Sequence, residues 1–132
     1  MTSVFSIASS GLAAQSKRLA ISADNVANIR SVGLKADGSN AGTGAYEPKQ
    51  AAQTSVAGGG VRVQAVAVDP PSYQSYEPDD PNADANGEVP RPNVSLEREV
   101  VNQIEAVRAY QANVATIKAQ DRMLGSLLDA FT

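Results

Sequence analysis

Apolar side chains in the last third of the chain recur at Val100, Ile104, Val107, Tyr110, Val114, Ile117, Leu124, Leu128 and Phe131. Steps of three and four are the spacing of one helical face, so the pattern predicts a helix over 95–131. No proline interrupts that run, and its only glycine is Gly125. At ~1.5 Å per residue the helix would span roughly 54 Å. That is too long for the core of a 132-residue globule, and it calls for a rod-like packing partner. Its start is marked by Pro90 and Pro92, which bar helix upstream, and by Ser95 as N-cap. Glu97 and Glu99 oppose the positive end of the dipole, and Glu105 can pair with Arg108 on the exposed face. Asp121 breaks the apolar seam, either as a solvated edge or as a register-setting polar contact.

The partner lies near the start, over residues 3–28. Phe5, Leu12, Leu19 and Val26 are seven apart, with Ser9, Ser16 and Ala23 between them as a small layer. Small residues let a partner backbone come close. Ser3, Ser6, Ser9, Ser10 and Gly11 weaken the helix on its own, so it is expected to order against partners. Leu12, Leu19 and Val26 are expected to meet Val107, Val114 and Ile117 in antiparallel order. Full burial of Leu19 would make Leu19→Ala cost roughly 2–5 kcal/mol. The C-terminal helix is the longer by roughly 16 Å at ~1.5 Å per residue. Its unpaired end carries Met123, Leu124, Leu127, Leu128 and Phe131, opposite Phe5 and Ile7. Subunit–subunit burial is expected to concentrate on Phe5, Ile7, Leu124, Leu127, Leu128 and Phe131.

Between the helices the apolar signal fades. Residues 28–60 are rich in glycine and read as loop, with at most a short strand near Tyr46 or 53–56 and fast amide exchange over 36–60. Residues 61–68 are β-branched and alternate until a slip between Val63 and Val66, so they predict a strand with a bulge. Residues 73–76 suit a short return strand, and 77–92 read as loop. The segments divide as 1–30, 31–93 and 94–132. The fold class is mainly α: an antiparallel, coiled-coil-like pair of long terminal helices with a small, loop-rich, β-containing middle.

Composition narrows the function. Histidine and cysteine are absent, which removes the commonest general base, thiolate ligands and disulfides. The net charge of −3 and the lack of a basic stripe argue against nucleic acid. No apolar run suits a membrane span, and no basic region precedes the first apolar residues as in a cleaved signal. The glycines at 58–60 lack the Gly-Lys-Ser/Thr of a phosphate loop. Asn82, Asp84, Asn86 and Gly87 imitate the start of a calcium loop, but its twelfth position is Asn93 where Glu is needed. Asx turns are the simpler account. Neither an enzyme nor a cofactor is expected.

The ends of the chain carry specific wording. Ser10-Gly-Leu-Ala-Ala-Gln-Ser-Lys-Arg-Leu-Ala-Ile-Ser-Ala-Asp-Asn-Val-Ala-Asn28 resembles the N-terminal motif of flagellar rod, hook and hook-associated proteins. Ile104-Glu-Ala-Val-Arg-Ala-Tyr-Gln-Ala-Asn-Val114 resembles their C-terminal motif. The 76–87 loop, followed by Pro92-Asn-Val-Ser-Leu96, is similar to that of the proximal-rod type. Asp80 departs from that type's usual His, Glu88 and Arg91 from usual aromatics, and Val100 from a usual Met. The resemblance implies a structural subunit of the periplasmic rod, exported through the flagellar type III channel without a cleaved signal. Its partners would be other rod subunits and itself, head to tail, and the export apparatus. A coiled-coil adaptor or export chaperone is the alternative, and a calcium-binding module the more distant one.

Overall fold

The computed structural model describes residues 4–31 and 46–131. Helix α1 is Val4–Ala27 and helix α2 is Leu96–Asp129. Between them come strands β1 Lys49–Ser55, β2 Val61–Ala67, β3 Ser72–Tyr76 and β4 Glu88–Pro92. Two long helices thus flank a small β-containing middle. Helix α2 begins at the expected cap: Ser95 is extended, and its hydroxyl accepts from the Arg98 N–H at 3.4 Å.

Contacts along the two helices fix their direction. Gly11 lies against the Asn113 carboxamide, Arg18 against Glu105, and Ser22 and Asn25 against Glu99. Numbers rise on one helix as they fall on the other, so the pair is antiparallel. Glu105 therefore pairs with Arg18 across the interface, at 3.6 Å, and not with Arg108 on its own helix.

The buried seam differs from the expected one. On α1 it is Ala8, Gly11, Ala14, Gln15, Ser22 and Asn25, and on α2 it is Ala106. Leu12, Val26, Val114 and Ile117 are half-buried at the flanks, while Leu19 and Val107 are exposed. Neighbouring helix positions lie about 100° apart, so a stripe displaced by one residue faces largely elsewhere. The helices close through their smallest side chains because those permit the nearest backbone approach. A Cβ at Gly11 would stand 2.8 Å from the Asn113 oxygen. Larger side chains on that line would force the helices apart.

Strands β1 and β2 form an unbroken antiparallel hairpin from Lys49↔Ala67 to Ser55↔Val61, so the expected bulge is absent. The hairpin lies along α1. At one end Asn25 holds Lys49, and at the other the Ser10 hydroxyl accepts from the Val61 N–H at 3.1 Å. Seven strand residues at about 3.4 Å each match the helix between those anchors at about 1.5 Å, each roughly 20 Å long. Val63 is the buried side chain of β2. Gly58, Gly59 and Gly60 turn the hairpin with φ of 95°, 99° and 92°, a region that glycine enters freely.

Residues 49–55 are a strand, longer than the short one expected near 53–56 and reaching into residues that read as loop. Their polar and alanine side chains give little strand propensity, and cross-strand pairing supplies what propensity lacks. Their pairing argues against the fast exchange expected over 36–60 for this part; 36–45 lies outside the described residues. The return strand at 73–76 appears as β3, but it pairs with β4, from Ser72↔Pro92 to Tyr76↔Glu88. Strand β4 also lies inside an expected loop. Its prolines masked it, yet a two-stranded sheet has only edges, where proline is tolerated.

Candidate assembly surface

Asn25 ties three elements together. It is 1% exposed. Its Nδ2 donates to the Lys49 carbonyl at 2.7 Å and to Glu99 Oε1 at 2.8 Å. Its Oδ1 accepts from the Lys49 N–H at 3.0 Å and faces the Tyr46 hydroxyl at 3.0 Å. The same hydroxyl lies 2.9 Å from Asp24 Oδ2. Burial, then the hydrogen bond to Asp24, pushes the Tyr46 phenol up to about 12. Ser22 adds a bond from its hydroxyl to the Glu99 carbonyl at 3.2 Å. The end of α1, the start of β1 and the start of α2 meet at this one carboxamide. Sequence patterning missed it, because a polar residue on a small-residue stripe carries no periodic signal. Its place in the Asp24-Asn25 pair inside the N-terminal motif was the available clue.

A second polar node fixes the β3–β4 unit. Arg91 on β4 donates to Glu77, lies 3.4 Å from Asp80 Oδ2, and reaches the Arg30 carbonyl beyond α1 at 3.1 Å. Hydrogen bonds from Arg91 and then Ser75 hold Glu77 below the usual carboxylate range, and Glu77 holds the Arg91 guanidinium above its own. The 77–87 loop is tightened by Asx turns. Asp80 Oδ1 accepts from the Asn82 N–H at 2.8 Å, and Asp84 Oδ1 from those of Asn86 and Glu88 at 2.8 and 2.9 Å. The calcium-like string thus spends its one carboxylate, Asp84, on its own backbone.

The apolar surface is arranged differently from a closed core. Phe5, Ile117 and Leu124 come together around one shallow pocket. Phe5 and Ile7 are nonetheless exposed. Helix α2 has 34 residues against 24 in α1, an excess of about 15 Å at ~1.5 Å per residue. On that overhang Met123, Leu124, Leu127 and Leu128 are 53–69% exposed, and Phe131 is 87% exposed. Leu96, Val100, Val101, Ile104, Val107 and Tyr110 extend the exposed apolar face along the rest of α2. Close by Phe5, the buried Gln120 Oε1 finds no donor among the described residues. No helix among the described residues is long and apolar enough to cross a membrane. This is a helix pair that has covered its small seam and left its large side chains uncovered.

Known proteins share most of this chain's span. Residues 5–33 match the family described as flagella basal body rod protein, and residues 85–130 match flagellar basal body rod FlgEFG protein C-terminal. The flagellar basal-body rod protein FlgC of Yersinia enterocolitica is 42% identical over 130 residues, covering 94% of this chain and 92% of its own. The FlgC of Salmonella typhimurium gives the same identity and coverage. This chain belongs to the FlgC family of flagellar basal-body rod proteins. FlgC of Agrobacterium fabrum, at 36% identity, covers 93% of this chain and 89% of its own.

Asp80 and Arg91 are joined, with Glu77, through the Arg91 guanidinium. They lie 14 residues or fewer from Glu77 in sequence and form one ion cluster with it.

Proposed function

We propose that this chain is a structural subunit of the flagellar basal-body rod, exported by the flagellar type III system and polymerised through its terminal helices. The exposed apolar overhang of α2 is the observation that carries the reading. A monomer leaves Leu124, Leu127, Leu128 and Phe131 in water, and contiguous exposure of this kind marks an interaction site. Phe5 and Ile7 complete that end surface. Leu12, Leu19, Val26, Val107, Val114 and Ile117 flank the seam, where coiled-coil-like contacts with further helices would cover them. Partners on this reading are other rod subunits and copies of itself, joined head to tail so that the contact does not close. The place is the periplasmic rod, and the role is mechanical.

Leu124→Asp and Leu128→Asp test this. Both variants should fold as helical monomers, be exported, and fail to build rods that support motility. Rods assembling normally from either variant would place the interface elsewhere. A small closed oligomer, unchanged across a wide concentration range in sedimentation, would instead fit an adaptor or export chaperone.

A further inference from the structure

A polar groove of about 270 Å³ opens where α1, the β1–β2 hairpin and the start of α2 meet. Arg18, Lys49, Arg98, Asn93 and Asn102 line it, with Glu99 as its one acid. The two carboxylate oxygens of Glu99 already accept from Asn25 and Asn102. Arg18 is shared with the solvent-exposed Glu105. The side chains of Lys49 and Arg98 are exposed, and their own backbone groups are anchored to Asn25 and Ser95. The groove therefore holds spare positive charge on fixed walls.

The complementary charge sits on the same chain. Residues 77–88 carry Glu77, Asp79, Asp80, Asp84 and Glu88 and no basic residue. Glu77 and Asp80 are engaged by Arg91, while Asp79, Asp84 and Glu88 are exposed. The Asx turns and the hairpin hold this loop in shape, so little ordering would oppose docking. Strands β3 and β4 separate it from the groove. Asn93, just past β4, lines the groove and is pinned to Pro70 and Pro71, whereas the acidic loop lies at the other end of the hairpin. Five strand residues at about 3.4 Å make that spacer roughly 15 Å long, so the loop does not reach its own groove.

We propose that the groove receives the acidic 77–88 loop of a second copy of this chain. Loop and groove are different surfaces held apart by a stiff hairpin, so the contact is heterologous and can propagate. It is polar and separate from the apolar overhang, and it would set the lateral register between copies that the overhang alone leaves free.

Zero-length carbodiimide coupling tests the contact on an equal mixture of ¹⁴N- and ¹⁵N-labelled full-length chains. The expected product joins Lys49 of one isotope to Asp79 or Glu88 of the other. Reversing the groove (Lys49→Glu with Arg98→Glu) or the loop (Asp79→Lys with Glu88→Lys) should each weaken self-association by roughly tenfold or more. Mixing the two reversed chains should restore it, since each then offers the other's complement. Circular dichroism on each variant shows whether the helices persist. Coupling confined to one isotope, or a mixture no better than its components, overturns the proposal. The crosslink reports this contact alone. Leu128→Asp chains, monomeric when dilute, should still form it when concentrated, so the groove and the overhang can fail independently.

Discussion

Replacing Asn25 by alanine removes the joint between three elements without altering any exposed surface. Its two bonds to the Lys49 backbone contribute about 1 kcal/mol each. The bond to the Glu99 carboxylate is charge-assisted and contributes about 2 kcal/mol. Tyr46 keeps Asp24 as an alternative partner, so its loss is small. Alanine is the better helix former by roughly 0.5 kcal/mol, and water from the adjoining groove can serve some of the freed groups. The expected net loss is about 3 kcal/mol, read from urea unfolding followed by helical ellipticity. The midpoint should fall with the slope unchanged, as for a loss of stability without a change in compactness. The Lys49 amide, whose acceptor is Asn25 Oδ1, should exchange with solvent faster than its strand neighbours. Asn25→Asp should be worse than alanine at neutral pH, because it sets a second carboxylate against Glu99. A loss below about 1 kcal/mol for Asn25→Ala, with Lys49 still protected, would refute the node.

Leu19→Ala should cost only about 1 kcal/mol in the isolated chain, because Leu19 is 37% exposed and no closed cavity results. Ala106→Leu, by contrast, should cost about 1–3 kcal/mol in the same unfolding assay, since Ala106 is 1% exposed on the seam. Tyr46 should ionise at about 12 in an ultraviolet titration, late for a phenol. Its raised folded value means stability present below the unfolded value of about 10 and lost as pH rises through the folded one. Glu77 runs the other way: its lowered value gives stability present above an unfolded pKa of about 4.3 and lost as pH falls through the folded value. Arg91→Gln should therefore flatten the acid limb of the stability profile.

The two helices, their ends and their direction were legible in the chain. Ser95 reads as a cap from sequence and acts as one, since capping depends on neighbours in the chain itself. Periodicity placed α2 within a residue or two, and the unequal helix lengths already implied an overhang of large apolar residues. The face that pairs was not legible. Sequence patterning weights bulk, so it selected Leu12, Leu19 and Val107; packing selected Ala8, Gly11, Ala14 and Ala106, because backbone separation decides how much of both helices is buried. Strand β4 and the first half of β1 were hidden for a related reason. Lys49–Ser55 and Glu88–Pro92 have no alternation of their own and become strands only through the partners that the fold brings beside them. The contacts of Asn25 and Arg91 reach across 21 to 74 and 11 to 61 positions of sequence. Local chemistry announces that such residues are polar. Only the tertiary structure decides which buried donors and acceptors they must satisfy.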